Sequence, residues 1–153
     1  MALYAFDGTW NSEKTGDNAA TNTNVVRFKN AYQANTGVPE CYVAGIGTRR
    51  KLIGKIIGGA FGAGELPRLT EAYRRLCANW ADGDQVIDII GFSRGAATTL
   101  DFCHLIQDRG IRRPDTNDVI EPDPAIRFVG VWDVVPAYSR GGCAKPLHSP
   151  WFS

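Results

Sequence analysis

Histidine is scarce in this chain: its 153 residues include only His104 and His148. Cysteine amounts to Cys41, Cys77, Cys103 and Cys143, far apart and without a C-x-x-C pair. Together these exclude a zinc site of ordinary ligand spacing. Three of the cysteines sit in apolar surroundings, which predicts buried free thiols and a reducing compartment. No apolar run approaches the ~20 residues that span a bilayer. No charge of either sign dominates: 17 basic residues against 16 acidic ones give a net charge of +1. That removes the bulk electrostatic case for nucleic acid as a partner. No basic n-region or cleavage site accompanies the strand-like start at Met1–Asp7. Cytoplasmic synthesis is therefore expected, and export by a route without a signal peptide stays open. With no repeat, low-complexity stretch or boundary in view, residues 1–153 read as a single domain.

What is present is more specific. Gly91-Phe92-Ser93-Arg94-Gly95 follows the apolar run Val86-Ile87-Asp88-Ile89-Ile90 and precedes the helix-forming Ala96-Ala97-Thr98-Thr99-Leu100. This is G-x-S-x-G at a strand–helix turn. Glycines flank such a turn because a Cβ there would meet neighbouring backbone. The geometry lifts the serine hydroxyl out of the sheet and points the next N–H at the space beside it, as an acyl-transfer nucleophile requires. A tight glycine turn with an incidental serine is the alternative.

Strand and helix patterns alternate along the chain. Strands are expected at Leu3–Phe6, Cys41–Ala44, Gln85–Ile90 and Ala125–Trp132. Helices are expected at Asn24–Asn35, Glu65–Trp80 and Arg94–Arg109, the last closed by Gly110. The first helix would bury Val25, Phe28, Ala31 and Tyr32. Residues 11–22 read as an exposed loop and residues 111–124 as a charged, proline-bearing loop. Such alternation predicts a three-layer α/β sandwich with a mainly parallel sheet, α/β-hydrolase-like and reduced at its C-terminus. The loops at Asp7–Thr9, Ser93 and Asp133 would then converge on one edge of the sheet.

Asp133 ends the last strand, 40 residues after Ser93, in the chain order Ser-then-Asp that α/β-hydrolases use. Its role would be to orient a histidine, and its alternative is a simple turn cap. Gly8 and Thr9 follow the first strand, where a second oxyanion donor belongs. Arg94 would supply the other main-chain N–H and pair its guanidinium with Asp7. His104 lies 11 residues beyond Ser93, ~16 Å along the helix, and reads as structural. That leaves His148, 15 residues after Asp133, as the candidate base. The stretch from Arg49 to Gly64 mixes basic and large apolar residues without completing a phosphate-binding motif. It is either an interfacial flap that touches lipid or a loop packed on the core.

Phe6-Asp7-Gly8-Thr9-Trp10-Asn11, Asn22-Thr23-Asn24-Val25, Gly45-Ile46-Gly47-Thr48, Phe61-Gly62-Ala63-Gly64, Gly91-Phe92-Ser93-Arg94-Gly95-Ala96 and Val131-Trp132-Asp133 occur in that order. This combination resembles the DUF2235 family of α/β-hydrolase-like proteins, which includes the Tle1-group lipase effectors of type VI secretion. The resemblance runs from Leu3 to about Val135. It implies a phospholipase or esterase with Ser93 as nucleophile and Asp133 as triad acid, and the shared chemistry needs no metal or organic cofactor. In that family the histidine lies downstream in an H-A-L-x-x-D-like stretch, which does not occur here. Either His148 takes its place, or the domain is an incomplete hydrolase that binds a ligand or partner without turnover. The expected partners are an ester or lipid substrate and a transient membrane surface. An apolar patch is also expected beside the last strand, covered by a partner chain, a continuation or a second copy.

Overall fold

Leu3-Tyr4-Ala5-Phe6 offers no alternation of polar residues, and strand β1 (Ala2–Phe6) is buried on both faces. The computed structural model describes residues 1–36, 41–45 and 65–135, the side chains of residues 65 and 66 aside. A 3-10 turn at Gly16–Thr21 leads from β1 to α1 (Asn24–Thr36) and β2 (Cys41–Val43). Then come α2 (Glu65–Ala81), β3 (Ile87–Phe92), α3 (Arg94–Arg109), β4 (Ile111–Arg112), β5 (Val119–Glu121) and β6 (Ile126–Trp132).

Four strands pair in parallel in the order β2-β1-β3-β6. The β1–β3 register runs from Ala2 opposite Ile87 to Phe6 opposite Gly91, and Phe92 lies opposite Trp132 across β3–β6. The C-terminal ends of these three strands therefore finish side by side. Side chains alternate between the two faces. Tyr4, Phe6, Ile87 and Ile89 pack under α2 and α3, where the Phe102 ring lies 5.6 Å from Tyr4 and 5.3 Å from Phe6. Leu3, Ala5 and Ile90 pack under α1 with Val25, Phe28 and Tyr32. Helices on both faces of a mainly parallel sheet make this a three-layer α/β fold, as the alternation predicts. Each fully buried aromatic or Ile side chain stabilises the fold by about 1.5–3 kcal/mol.

Two glycines of the G-x-S-x-G run set how closely α3 approaches the sheet. A Cβ on Gly95 would lie 2.6 Å from the Asp7 carbonyl and closer still to that of Phe6. A Cβ on Gly91 would lie 2.6 Å from Gly95 O and closer to Thr99 Oγ1. Neither position admits a side chain without moving backbone.

The structure departs from the sequence reading at several elements. Residues 111–121 are not a plain loop: β4 and β5 pair antiparallel, with Ile111 fully buried in the α2/α3 core. Strands of two and three residues within a charged stretch leave no periodicity to detect. In α1, Ala31 is exposed, and the buried positions are Val25, Val26 and Lys29. The Lys29 ammonium pairs with Glu13 at 2.7 Å and lies 5.2 Å from the centre of the Tyr42 ring. Strand β3 continues two residues past Ile90, so that Phe92 reaches the elbow of the next turn.

Cys41 and Cys77 are buried free thiols, Cys103 is half-buried, and burial pushes the Cys103 thiol up to about 12. Cys143 and residues 49–64 lie outside the described residues. No helix among the described residues is long and apolar enough to cross a membrane. At the outer strand β6, Phe128, Val129 and Val131 are 43%, 39% and 37% exposed, and the Phe128 ring stacks on Phe28 at 5.9 Å.

Candidate functional site

Ser93 is the residue between β3 and α3, with φ 55° and ψ −122°. A non-glycine residue held in that region is strained, by about 1–3 kcal/mol in general, and persists only where its surroundings over-determine it. Here they do. The Ser93 N–H donates to Trp132 O at 2.9 Å, and the Ser93 carbonyl accepts from Val135 N–H at 3.2 Å and Ala96 N–H at 3.0 Å. The end of β6 and the first turn of α3 thus clamp the same peptide groups. Asp133 lies between the two β6-side partners, Trp132 and Val135, so the fold brings it beside Ser93. It is exposed, and its own φ is 50°.

The loop after β1 lies against the other flank. A Cβ on Gly8 would sit 3.2 Å from Ser93 Cβ, 2.9 Å from Phe92 Cδ1 and 3.0 Å from Asn11 Nδ2. Asn11 N–H donates to Gly8 O at 3.0 Å, closing a turn over Thr9 and Trp10. The turn is pinned from β2: Gly45 N–H donates to Asn11 O at 2.8 Å, and a Cβ on Gly45 would collide with Gly8 O. The Thr9 hydroxyl oxygen is buried and has no hydrogen-bond partner among the described residues.

Asp7 organises this loop, and sequence reasoning missed how. Its carboxylate is buried, with the residue 3% exposed. It accepts from its neighbour Gly8 N–H at 2.8 Å, from Thr23 Oγ1 at 2.9 Å and from Tyr42 Oη at 2.8 Å. The expected Asp7–Arg94 pair does not form: neutral donors from three segments take the carboxylate instead. The Gly8 N–H is likewise committed to Asp7. Burial, then the hydrogen bond to Asp7, raises the Tyr42 phenol well above its ordinary range, so it stays a donor. Thr23 also meets Val26 N–H at 3.4 Å, which joins the start of α1 to the same carboxylate.

Of the residues singled out in the sequence, Gly8, Thr9, Ser93, Arg94 and Asp133 come together at one edge of the sheet. Arg94 opens α3, and its carbonyl accepts from Thr98 Oγ1 at 3.1 Å. His104 is half-buried on α3, three turns from Ser93, and does not join them. His148 lies outside the described residues.

A serine at a strained strand–helix turn, on the C-terminal edge of a parallel α/β sheet, defines a class of enzyme-like sites. The particular family follows from comparison. The chain matches, over residues 3–121, the family described as T6SS phospholipase effector Tle1-like, catalytic domain, and it belongs to that family. The match contains the Asp7–Asn11 loop and Ser93; Asp133 falls beyond it. Neither the curated proteins nor the solved structures contain a match.

Proposed function

We propose that this chain is a serine hydrolase that cleaves a carboxylic ester bond of a lipid. The observation that carries the reading is the strained backbone of Ser93, clamped to β6 and α3, within a family of phospholipase catalytic domains. Ser93 Oγ attacks the ester carbonyl, and a histidine takes its proton; His148 is the residue proposed for that role. Asp133 orients the imidazole and balances its charge. The main-chain N–H groups of Thr9 and Arg94 receive the oxyanion, where one donor is typically worth about 3 kcal/mol in the transition state. Gly8 contributes by being small, since a side chain there would fill the space beside Ser93. Asp7 is a positioning residue that holds the loop bearing Thr9. Delivery as a type VI effector and brief contact with a membrane surface belong to the same proposal.

The test is covalent labelling with a fluorophosphonate, which reacts with activated serines. Wild-type protein is expected to label, Ser93→Ala not at all, and His148→Ala at least about 10³-fold more slowly. A wild-type chain that stays unlabelled would favour the ligand-binding domain without turnover. Normal labelling of His148→Ala would remove that histidine from the mechanism.

A further inference from the structure

Trp10 is 55% exposed and has φ 66°. It occupies the third position of the turn closed by Asn11 N–H and Gly8 O, where a left-handed backbone suits glycine or asparagine and penalises a large side chain. The indole makes no hydrogen bond or ring contact among the described residues, so none of these interactions accounts for a large aromatic side chain at this position. Its location is what gives these costs a meaning. Two residues before it, Gly8 lies against Ser93. On the opposite flank of Ser93, Val134 and Val135 are 43% and 41% exposed, and Val135 N–H is bonded to the Ser93 carbonyl. Exposed apolar residues thus follow both strands that flank β3 and its serine.

We propose that Trp10, in the loop on one side of Ser93, together with Val134 and Val135 on the other, receives the acyl chain of the substrate ester and sets a preference for long chains over short ones. The inference rests on the ester-hydrolase reading for its choice of ligand. An alkyl chain laid on the indole removes from water the surface that the folded chain leaves exposed, and burying about two methylenes there gives about tenfold in rate or affinity. A flat aromatic wall suits such a chain because it selects for length and not for headgroup chemistry.

The probes are ethyl p-nitrophenyl alkylphosphonates with four- and twelve-carbon chains. In the labelling step the Ser93 Oγ–P bond forms, the P–O bond to p-nitrophenolate breaks, and the serine proton passes to the base. Wild type is expected to react about tenfold faster with the longer probe, and Trp10→Gly and Trp10→Asn to fall within about twofold of no preference. Both replacements fit a left-handed turn, so the thermal midpoint is expected to hold or rise by about 2 °C. A retained length preference in both variants overturns the inference. So does a midpoint lowered by more than about 5 °C, which would make Trp10 a structural residue. A second arm separates this inference from the catalytic reading. Monomeric dodecylphosphocholine is titrated calorimetrically into Ser93→Ala and into Ser93→Ala/Trp10→Asn. Binding by the first, weakened about tenfold in the second, supports the acyl surface even if wild-type Ser93 reacts with neither phosphonate. Equal binding, or none to Ser93→Ala, overturns it.

Discussion

Two aspartates buried to nearly the same extent stand at opposite ends of the sheet, and they are stabilised in different ways. Asp88, at the start of β3, faces a full positive charge: Arg127 grips it through two nitrogens, with Nε at 2.9 Å, and Tyr32 Oη donates at 2.7 Å. Asp7, just past the end of β1, has neutral donors only among the described residues. The ionic end ties β3 to β6 and α1 at an irregularity of the ladder: Ile87 lies opposite Ile126 and Asp88 opposite Phe128, so Arg127 is the extra residue on β6. The neutral end holds a glycine-rich loop against a strained serine. Neutral donors fix the Asp7 carboxylate one residue from the place where Gly8 lies against Ser93. The difference teaches that burial alone does not say what a carboxylate is for; its partners do.

The comparison breaks most visibly in reaction rates. Asp7→Ala is expected to slow Ser93 labelling by about 10²–10³-fold, because the loop that carries Thr9 loses its anchor. Asp7→Asn is expected to lose about tenfold, since Thr23 and Tyr42 can turn their hydroxyls to the amide. Labelling kinetics as a function of probe concentration check this: the loss should fall on the bond-forming step and not on probe affinity. If Asp7→Ala labels at the wild-type rate, Asp7 has no positioning role.

At the other end the loss should appear in stability. Arg127→Met removes a half-exposed guanidinium from a buried carboxylate, so the penalty for an unpaired buried charge is partly relieved by solvent. We expect a lower urea midpoint, with Ser93 labelling unchanged. An unchanged midpoint would show that Tyr32 and water satisfy Asp88 without the arginine.

The smallest effect concerns pH. Burial, reinforced by Asp88, pushes the Tyr32 phenol from 10.0 up to about 12, and burial does the same for Tyr73. Below pH 10 both folded and unfolded chains keep these protons and the full contribution is present. Between about pH 10 and 12 the unfolded chain gives them up first, so stability falls as pH rises through that window. Urea midpoints measured across it should decline in wild type and decline less in Tyr32→Phe. A flat profile would mean that Tyr32 ionises in the folded protein as freely as in water.

Much of this molecule was legible before any coordinates. Gly91 and Gly95 announced a tight strand–helix turn, and their missing side chains do let α3 lie on β1 and β3. Gly110 announced the end of α3, and its φ of 62° and N–H bond to Ile106 O at 2.8 Å match that reading. The partners of Asp7 were not legible. Thr23 and Tyr42 stand 16 and 35 residues away, and nothing in the motif Phe6-Asp7-Gly8-Thr9 distinguishes them from the arginine beside Ser93. The β4–β5 hairpin escaped because pairs this short carry no period.

By itself the sequence determined the alternation of strands and helices, the parallel sheet that follows from it, and the serine at a glycine-flanked turn. These are local properties: hydrophobic period, turn chemistry and steric room act over a few residues. Only the tertiary structure decided that the end of β6 would clamp the Ser93 peptide groups through Trp132 and Val135. It alone showed that Asp7 would rest on uncharged donors, and that Trp10 would stand exposed on a strained turn. Those outcomes depend on strand order and register, which bring together groups far apart in the chain, and no local pattern encodes which distant donor will arrive.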